Sequence, residues 1–249
     1  MRLIEMNSFL SGFKHRSSEH ELMDDLQSDN RMLTKSLRQF EMINRLFAGR
    51  DRLLYGKILK DAQIKNLTDI IVTDLGAGGG DWTERCIDIC KAKGIRVQAR
   101  CVDNDPRVID FLSKRFINCG QVEIICSDVL DQSLWQRKTD YLFANHLLHH
   151  LPDTSIVELL KLSSKSVRQR FFFNDLRRSV VNYLLFWIFA SIFTGSFIRN
   201  DGLLSIRRSF TRSELVGYTG SAGLTGKVDV FRRGWGHLCI CSKNKETKN

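Results

Sequence analysis

The stretch DLGAGGG places a carboxylate, Asp74, before three alternate glycines, Gly76, Gly78 and Gly80. It lies between an apolar run, IIVT, and a helical run, DWTERC, in which Asp81 and Glu84 form a capping-box-like pattern. A glycine loop in this position is expected where the backbone closely approaches a ligand. A dinucleotide loop would read GxGxxG, but Asp81 stands where that pattern requires glycine. Its charge would also oppose a pyrophosphate at the start of the helix. The spacing DxGxGxG therefore suits a cofactor with a cationic centre, an amino group and no phosphate, such as S-adenosylmethionine.

Acidic residues also end the next two apolar runs. RCVDND ends with Asp103 and Asn104, and we expect Asp103 to accept both ribose hydroxyl protons. CSDV places Ser127 and Asp128 where an acidic side chain can accept from the adenine amino group. The alternative is that these residues only cap helices and form turns. Three such signals in chain order favour a cofactor site. Asn145 is the remaining residue predicted to bind the cofactor.

Two further segments offer groups for acid–base chemistry on a second substrate. NHLLHHLPD contains three histidines within five residues, and NDLRRS contains a carboxylate and arginines. We predict that His149, Asp175 and Arg177 face this substrate, with His149 as a base or hydrogen-bond partner. Alternatively, His149 is structural, and Asp175 caps a helix or pairs with an arginine. No metal site is expected, because the HxxHH spacing lacks a carboxylate at helical distance.

These groups require a scaffold that brings strand ends together. From Ile70 onward, short apolar runs alternate with helical segments, which indicates an α/β fold with a parallel sheet. The last two runs, GKVDVFRRG and WGHLCICSK, are joined by a glycine-containing turn and predict an antiparallel pair at the sheet edge. In such a sheet, ligands bind beyond the carboxyl ends of the strands.

The motifs DLGAGGG, CVDND, CSDV, FANHLLHHLPD and FFFNDLRRS together resemble the class I S-adenosylmethionine-dependent methyltransferases. The closest likeness is to the ubiquinone/menaquinone-biosynthesis-like branch. The flanking RSSEHELMDD, INRLFAGR and DGLLSIRRSFTRSELVGYTGSAGL resemble a subgroup associated with type III polyketide synthases. The resemblance implies a Rossmann-like, seven-stranded, mostly parallel sheet with an antiparallel last strand. It also implies that the protein acts in secondary metabolism and methylates phenolic, polyketide-derived or lipid-tailed acceptors.

We predict a helical cap over residues 1–66 and a methyltransferase domain over residues 67–243. Within the domain, residues 179–212 form an apolar lid whose first twenty residues carry no charge. A membrane span there would divide the sheet, so we expect a buried lid over a hydrophobic acceptor. The alternative is peripheral contact with an anionic membrane, helped by flanking arginines.

The formal net charge of +10 permits a nucleic-acid partner, but no base-flipping motif or binding module accompanies it. The seven cysteines include no CxxC and suggest free thiols in a cytoplasmic protein. The sequence does not define an oligomeric state. It predicts a methyltransferase that modifies a phenolic, quinone-like or polyketide-derived hydroxyl group of a small hydrophobic acceptor. O-methylation is favoured over C-methylation. The alternatives are an RNA or protein methyltransferase and a scaffold that binds S-adenosylmethionine without catalysis.

Overall fold

The computed structural model describes residues 11–244 of the 249-residue chain. In that part, seven strands form one sheet: β1 (Asp69–Leu75), β2 (Arg96–Asp103), β3 (Val122–Cys126), β4 (Thr139–Asn145), β5 (Val167–Leu176), β6 (Val228–Arg233) and β7 (His237–Ser242). The described α-helices are α1 (Asn30–Leu46), α2 (Arg50–Leu54), α3 (Lys60–Ile64), α4 (Asp81–Lys91), α5 (Pro106–Arg115), α6 (Gln132–Trp135), α7 (Asp153–Ser166), α8 (Val180–Ala190), α9 (Ile198–Arg208) and α10 (Arg212–Ser221). Short 3-10 helices cover Leu22–Asp24 and Leu148–His150, and a π-helical turn, Tyr55–Leu59, joins α2 to α3.

The strand order is β3-β2-β1-β4-β5-β7-β6. Strands β1 to β5 pair in parallel, whereas β7 runs antiparallel to both β5 and β6. The predicted Rossmann-like α/β fold with an antiparallel last strand is therefore confirmed. The chain order reverses between β1 and β4, and a crevice at such a reversal is the usual ligand site of this sheet type.

Helices cover both faces of the sheet and bury two apolar cores. One core joins α2, the π-helical turn, α3 and α4 to the central strands, where Trp82 lies close to Phe143 and Phe172. The other places α7 and α10 against the opposite face, around Phe171 and Phe173. The segment before β1 thus contributes Leu53, Leu54, Ile58 and Leu59 to the same core as the strands, all nearly fully buried.

Helix α1 crosses the carboxyl edge of the sheet. The Asp29 carboxylate accepts the backbone N–H groups of Arg31 and Met32, so a side chain caps its first turn. Its apolar residues recur at helical spacing, as the sequence predicts, and Leu33, Leu37 and Ile43 are buried. Phe40 is partly buried, and Phe47, just after the helix, is 51% exposed.

Helices α8 and α9 form the segment predicted as a buried lid. Only Ala190 is buried in α8, and Leu184, Trp187 and Ile188 are 47%, 49% and 62% exposed. The expectation of a buried lid is therefore wrong for the outer face of α8. A charge-free sequence indicates that a helix is apolar, but not which of its faces the chain covers. No helix within residues 11–244 has the length and apolar character needed to cross a bilayer.

The loop between β1 and α4 turns through three glycines in the left-handed region, with φ of 63° at Gly76, 50° at Gly78 and 75° at Gly80. A Cβ at Gly80 would lie 2.7 Å from Phe116 Cε2 and 2.8 Å from Leu112 Cδ2. A Cβ at Gly76 would lie 2.9 Å from Leu147 Cδ1. Two of the three glycines are therefore required by packing of the chain against itself as well as by backbone conformation.

We predict that Gly80→Ala lowers the free energy of unfolding more than Gly94→Ala does. Both glycines have left-handed backbones, with φ of 75° and 74°, so both variants carry the same conformational cost of about 1–2 kcal/mol. An added Cβ at Gly94 meets nothing within 4 Å, whereas at Gly80 it collides with Phe116 and Leu112. The collision should add about 1–3 kcal/mol. Urea unfolding measures the difference, and equal losses in the two variants would contradict this packing.

Candidate active site

A cavity of about 850 Å³ opens at the carboxyl ends of the parallel strands. The β1–α4 loop and the ends of β2 and β3 line one part of it. The turn after β4, the N-terminal segment around Glu21, and helices α8 and α9 line the other part. Its volume is near the upper end of the range of about 300–1,000 Å³ for small-molecule sites. A cofactor and a second substrate could therefore occupy it together.

The predicted cofactor glycines contribute unequally to the cavity. Gly76 and Gly78 line it, while Gly80 does not. At Gly78 the nearest atom to an added Cβ would be Leu37 Cδ2, at 3.9 Å, so a side chain there would extend into open cavity. Gly78 is therefore the position at which the loop leaves space for a ligand.

Asp103 ties the glycine loop to the end of β2. Its Oδ2 accepts the backbone N–H of Gly78 at 3.0 Å, and its Oδ1 accepts that of Asp105 at 3.1 Å. Burial raises the pKa of this carboxyl. Each oxygen retains a second lone pair, so the carboxylate can still accept from a ligand that enters the cavity.

The remaining predicted cofactor residues are divided between the cavity and its surroundings. Asn104 and Asp128 are exposed and line the cavity. Asp128 also accepts the Leu130 backbone N–H at 2.8 Å. Ser127 is not among the lining residues, because its hydroxyl donates to Asp131 Oδ2 at 3.2 Å.

Two more carboxylates lie beneath the loop. Asp74 is buried and accepts the Thr83 hydroxyl at 2.8 Å. Burial, reinforced by the nearby Asp81 and Asp103, holds its pKa well above the ordinary range. Asp81 is paired with Arg50 at 2.8 Å, and burial raises its pKa too.

The capping pattern suggested by Asp81 and Glu84 is wrong. The residue that caps α4 is Gly80, and no side chain accepts a hydrogen bond there. The Asp81 carboxylate accepts instead from Arg50 and from Asn44 Nδ2, at 3.1 Å. These partners come from the helical segments before β1, which the local sequence pattern does not reveal.

A chain of amide side chains runs from Asp81 toward the other end of the cavity. Asn145 Nδ2 donates to Asn44 Oδ1 at 3.1 Å, and Asn174 Nδ2 donates to Asn145 Oδ1 at 2.8 Å. Asn145, at the end of β4, lines the cavity as the sequence predicts. Asn44 and Asn174 were not assigned to the site from sequence. The hydrogen bonds fix the relative positions of α1, β4 and β5.

His149 and Asp175 form a buried pair at the far end of the cavity. His149 Nδ1 lies 2.6 Å from Asp175 Oδ1, and the His149 backbone N–H donates to Asp175 Oδ2 at 3.2 Å. Burial lowers the pKa of His149, but Asp175 and Glu21 outweigh it and raise the pKa to about 9. Although burial alone would raise the pKa of Asp175, His149 holds it below the ordinary range. The imidazole is thereby fixed in orientation, with Nε2 turned toward Glu21.

The structure does not bring Arg177 to this pair. Arg177 is absent from the lining of the cavity, and its pKa is lowered by burial and by the nearby Arg232. Arg178 is buried elsewhere, against Glu214 and the Ser209 carbonyl oxygen. The partner of Asp175 is therefore a histidine, and neither of the two arginines considered from the sequence pairs with it.

The N-terminal segment supplies a residue that sequence reasoning missed. Glu21 is 3% exposed, lines the cavity, and accepts the Ser205 hydroxyl at 2.8 Å. Its Oε1 lies 3.5 Å from His149 Nε2. The acidic run EHELMDD was the available signal, but nothing in its spacing connects it with the distant histidines.

Apolar side chains line part of the cavity near His149. Leu185, Phe186 and Phe189 of α8 line it, and the predicted lid therefore covers the cavity with its inner face. Trp235, in the turn between β6 and β7, also lines it and is 83% exposed. The other histidines nearby, His146 and His237, lie Nε2 to Nε2 at 2.9 Å, and burial lowers the pKa of both.

Residues 72–170 match a family model described as a methyltransferase domain, which is less than half of the chain. No curated protein sequence matches the chain.

Solved structures with a similar fold include the following three. Human N-acetylserotonin methyltransferase in complex with S-adenosylmethionine is 14% identical, with a TM-score of 0.58 over 87% of this chain and 56% of its own. An O-methyltransferase family protein from Burkholderia thailandensis is 13% identical, with a TM-score of 0.62 over 89% of this chain and 62% of its own. An O-methyltransferase family 2 protein from Planctomyces limnophilus, in complex with apigenin, is 16% identical, with a TM-score of 0.57 over 86% and 62%.

The chain spans less than two thirds of each of these proteins. At such low identity the likeness concerns the fold. Residues 72–170 are therefore similar to a methyltransferase domain, and the sheet and helices around them share the fold of these three solved structures.

Proposed function

We propose that the protein transfers a methyl group from S-adenosylmethionine to a hydroxyl group of a small hydrophobic acceptor, most simply a phenol. The observation that carries this proposal is the charge around the glycine loop. Asp74, Asp81 and Asp103 are all desolvated, and burial raises the pKa of each. Among the described residues, Arg50 is the cation paired with this group; it contacts Asp81 at 2.8 Å and is also paired with Asp51.

A positively charged ligand would compensate this excess of carboxylates, whereas phosphates would be repelled by it. S-adenosylmethionine carries both a sulfonium and an ammonium group and has no phosphate. The cavity beside Gly78 offers space, and Asp103 retains lone pairs for hydroxyl donors. The residues present therefore fit this cofactor better than a dinucleotide. When bound, the cofactor supplies an electrophilic methyl group.

The acceptor would occupy the half of the cavity between the apolar lid and His149. Leu185, Phe186 and Phe189 favour a hydrophobic molecule there. The similar fold of a protein whose solved complex contains apigenin supports a phenolic acceptor, although only by analogy of fold. An unperturbed phenol has a pKa of about 10 and is mostly protonated at neutral pH, so its oxygen needs activation.

His149 is the group that we assign to the acceptor oxygen. Asp175 holds its ring through Nδ1, which leaves Nε2 on the cavity side. Because the pKa of His149 is about 9, its neutral form is a minor species at pH 7. The same Nε2 can therefore stabilise a phenolate as an imidazolium, or accept its proton in the minority neutral state.

The rival functions are less well matched to these features. An RNA methyltransferase would use the net charge of +10, but Leu185, Phe186 and Phe189 of α8 cover the half of the cavity near His149. A protein methyltransferase is open to the same objection. A scaffold without catalysis would not require the His149–Asp175 pair. The polyketide-synthase association, secondary metabolism, the preference for O- over C-methylation and the cytoplasmic location stay predictions from sequence.

Calorimetric titration with S-adenosylmethionine tests the cofactor half of the proposal. We expect the wild-type protein to bind in the micromolar range and Asp103→Asn to bind about 10–100-fold more weakly, because hydrogen bonds to a charged acceptor contribute about 1.5–3 kcal/mol. Asp110→Asn is the matched control, since Asp110 is an exposed carboxylate paired with Lys114 on α5. Unchanged affinity in Asp103→Asn, with a normal melting temperature, would place the ligand elsewhere.

Transfer of a labelled methyl group to a panel of alkylated phenols tests the acceptor half. We expect His149→Gln to lower kcat by about 100-fold or more while cofactor affinity stays unchanged, since general acid–base groups contribute about 10²–10⁴-fold. His20→Gln, which alters an exposed histidine, should retain full activity. Full activity in His149→Gln would exclude this role. Tight cofactor binding without transfer to any phenol would instead favour the scaffold.

A further inference from the structure

Two adjacent histidines at the far end of the cavity are each held by a carboxylate at Nδ1. Asp175 lies 2.6 Å from His149 Nδ1, and Asp24 lies 3.2 Å from His150 Nδ1. Both rings consequently turn Nε2 toward the same carboxylate, that of Glu21. The separations are 3.5 Å from His149 Nε2 to Glu21 Oε1 and 3.9 Å from His150 Nε2 to Glu21 Oε2.

These separations are longer than a good hydrogen bond but close to the spacing of ligands around a metal ion. Two donor atoms bonded at about 2.1 Å to one tetrahedral ion lie about 3.4 Å apart. One donor atom from each of Glu21, His149 and His150 lies within 4.8 Å of the others. Carboxylates at both Nδ1 positions are also the usual outer partners of histidine ligands, because they fix the ring and its tautomer.

The carboxylates around the two histidines also favour a bound cation. Glu21, Asp24 and Asp175 lie around the two imidazoles, and the buried Asp201 accepts the backbone N–H groups of Leu22 and Met23 nearby. Two arginines approach from α9 and the N-terminal segment. Arg208 lies 3.3 Å from Asp24 and 4.0 Å from Glu21, and Arg16 is paired with Asp153 while donating to the His149 carbonyl oxygen. The carboxylates outnumber the guanidinium charges available to them, so protonated histidines or a metal ion must supply the difference.

We propose that Glu21, His149 and His150 bind one divalent transition-metal ion, with Asp175 and Asp24 orienting the two imidazoles. Two imidazole nitrogens and one carboxylate oxygen form a donor set suited to Zn²⁺ or Co²⁺. All three residues line the cavity, so an ion bound by them would lie at the cavity wall. The carboxylate that the HxxHH motif lacks is supplied by the N-terminal segment.

The role of this ion, unlike its binding, rests on the proposed function. An ion at this position would bind the acceptor hydroxyl and lower its pKa, as metal ions do for bound water. With the ion bound, His149 Nε2 would act on the acceptor oxygen through the ion instead of contacting it directly, and the hydroxyl proton would leave to solvent. His149 would then act as a ligand, so its replacement by glutamine should still abolish transfer.

Titration of the full-length, chelator-treated protein with Co²⁺ tests the site directly. We expect one equivalent to bind, with visible absorption of a nitrogen- and oxygen-ligated ion and without a thiolate charge-transfer band. Glu21→Gln and His150→Gln should each weaken binding by at least about 100-fold, and Asp24→Asn by about 10-fold. Cys126→Ser, which removes an exposed thiol, is the control and should bind normally. Circular dichroism and thermal melting verify that each variant is folded.

The proposal is overturned if the wild type binds no Co²⁺ at micromolar concentrations, or if folded Glu21→Gln and His150→Gln bind it as tightly as the wild type. A thiolate band lost in Cys126→Ser would likewise assign the ion to cysteine. Titration of the same samples with S-adenosylmethionine separates the two proposals. Cofactor binding without Co²⁺ binding would refute the metal site alone, whereas Co²⁺ binding without cofactor binding would refute the proposed function alone.

Discussion

The burial of carboxylates at the carboxyl edge of the sheet is the constraint on which the site depends. Asp74 is the next-to-last residue of β1, Asp103 ends β2, and Asp81 begins α4 beside them. A desolvated carboxylate is costly unless a cation or hydrogen-bond donor accompanies it. Within the described residues, the chain supplies the Thr83 hydroxyl, the Asn44 amide, backbone N–H groups and one arginine, Arg50. A cationic ligand in the cavity would relieve the remaining cost of burying these carboxylates.

The same edge of the sheet carries a second polar cluster, formed around His149 and Asp175. The parallel arrangement of β4 and β5 brings the turn after β4 close to the last residues of β5. Between the two clusters runs the chain of amides from Asp81 through Asn44 and Asn145 to Asn174. These hydrogen bonds join four elements, α4, α1, β4 and β5, and hold the two clusters in fixed positions relative to each other. Such fixed positioning is the main requirement of an in-line methyl transfer.

Segments outside the matched domain complete the site. Arg50 and Asn44 come from the helices before β1, and Glu21 comes from the segment before α1. Helices α8 and α9, which follow β5, cover the acceptor half and contribute Ser205 against Glu21. The domain in residues 72–170 thus provides the cofactor loop and the histidine turn. The flanking segments provide the charges and the apolar walls that give the cavity its chemical character.

The sequence predicted those parts of the structure that follow from local periodicity. The five parallel strands, the terminal antiparallel pair and the glycine loop all have patterns that a few neighbouring residues determine. The capping of α4 was predicted wrongly because the Asp81 carboxylate accepts from Arg50, which lies 31 residues earlier in the chain. Glu21 and Asn44 were missed for the same reason, since no local pattern reports contacts between distant segments. The exposed outer face of α8 was missed for a different reason, because the composition of a helix does not reveal which of its faces the rest of the chain covers.

A crystal structure with S-adenosylhomocysteine, the product of the proposed reaction, tests the central claim most directly. The account predicts that the ligand lies beside Gly78 with its ribose hydroxyls on the Asp103 carboxylate. Its sulfur should face the half of the cavity that contains His149. A ligand bound outside this cavity, or one whose sulfur faces away from His149, would contradict the assignment of the two ends.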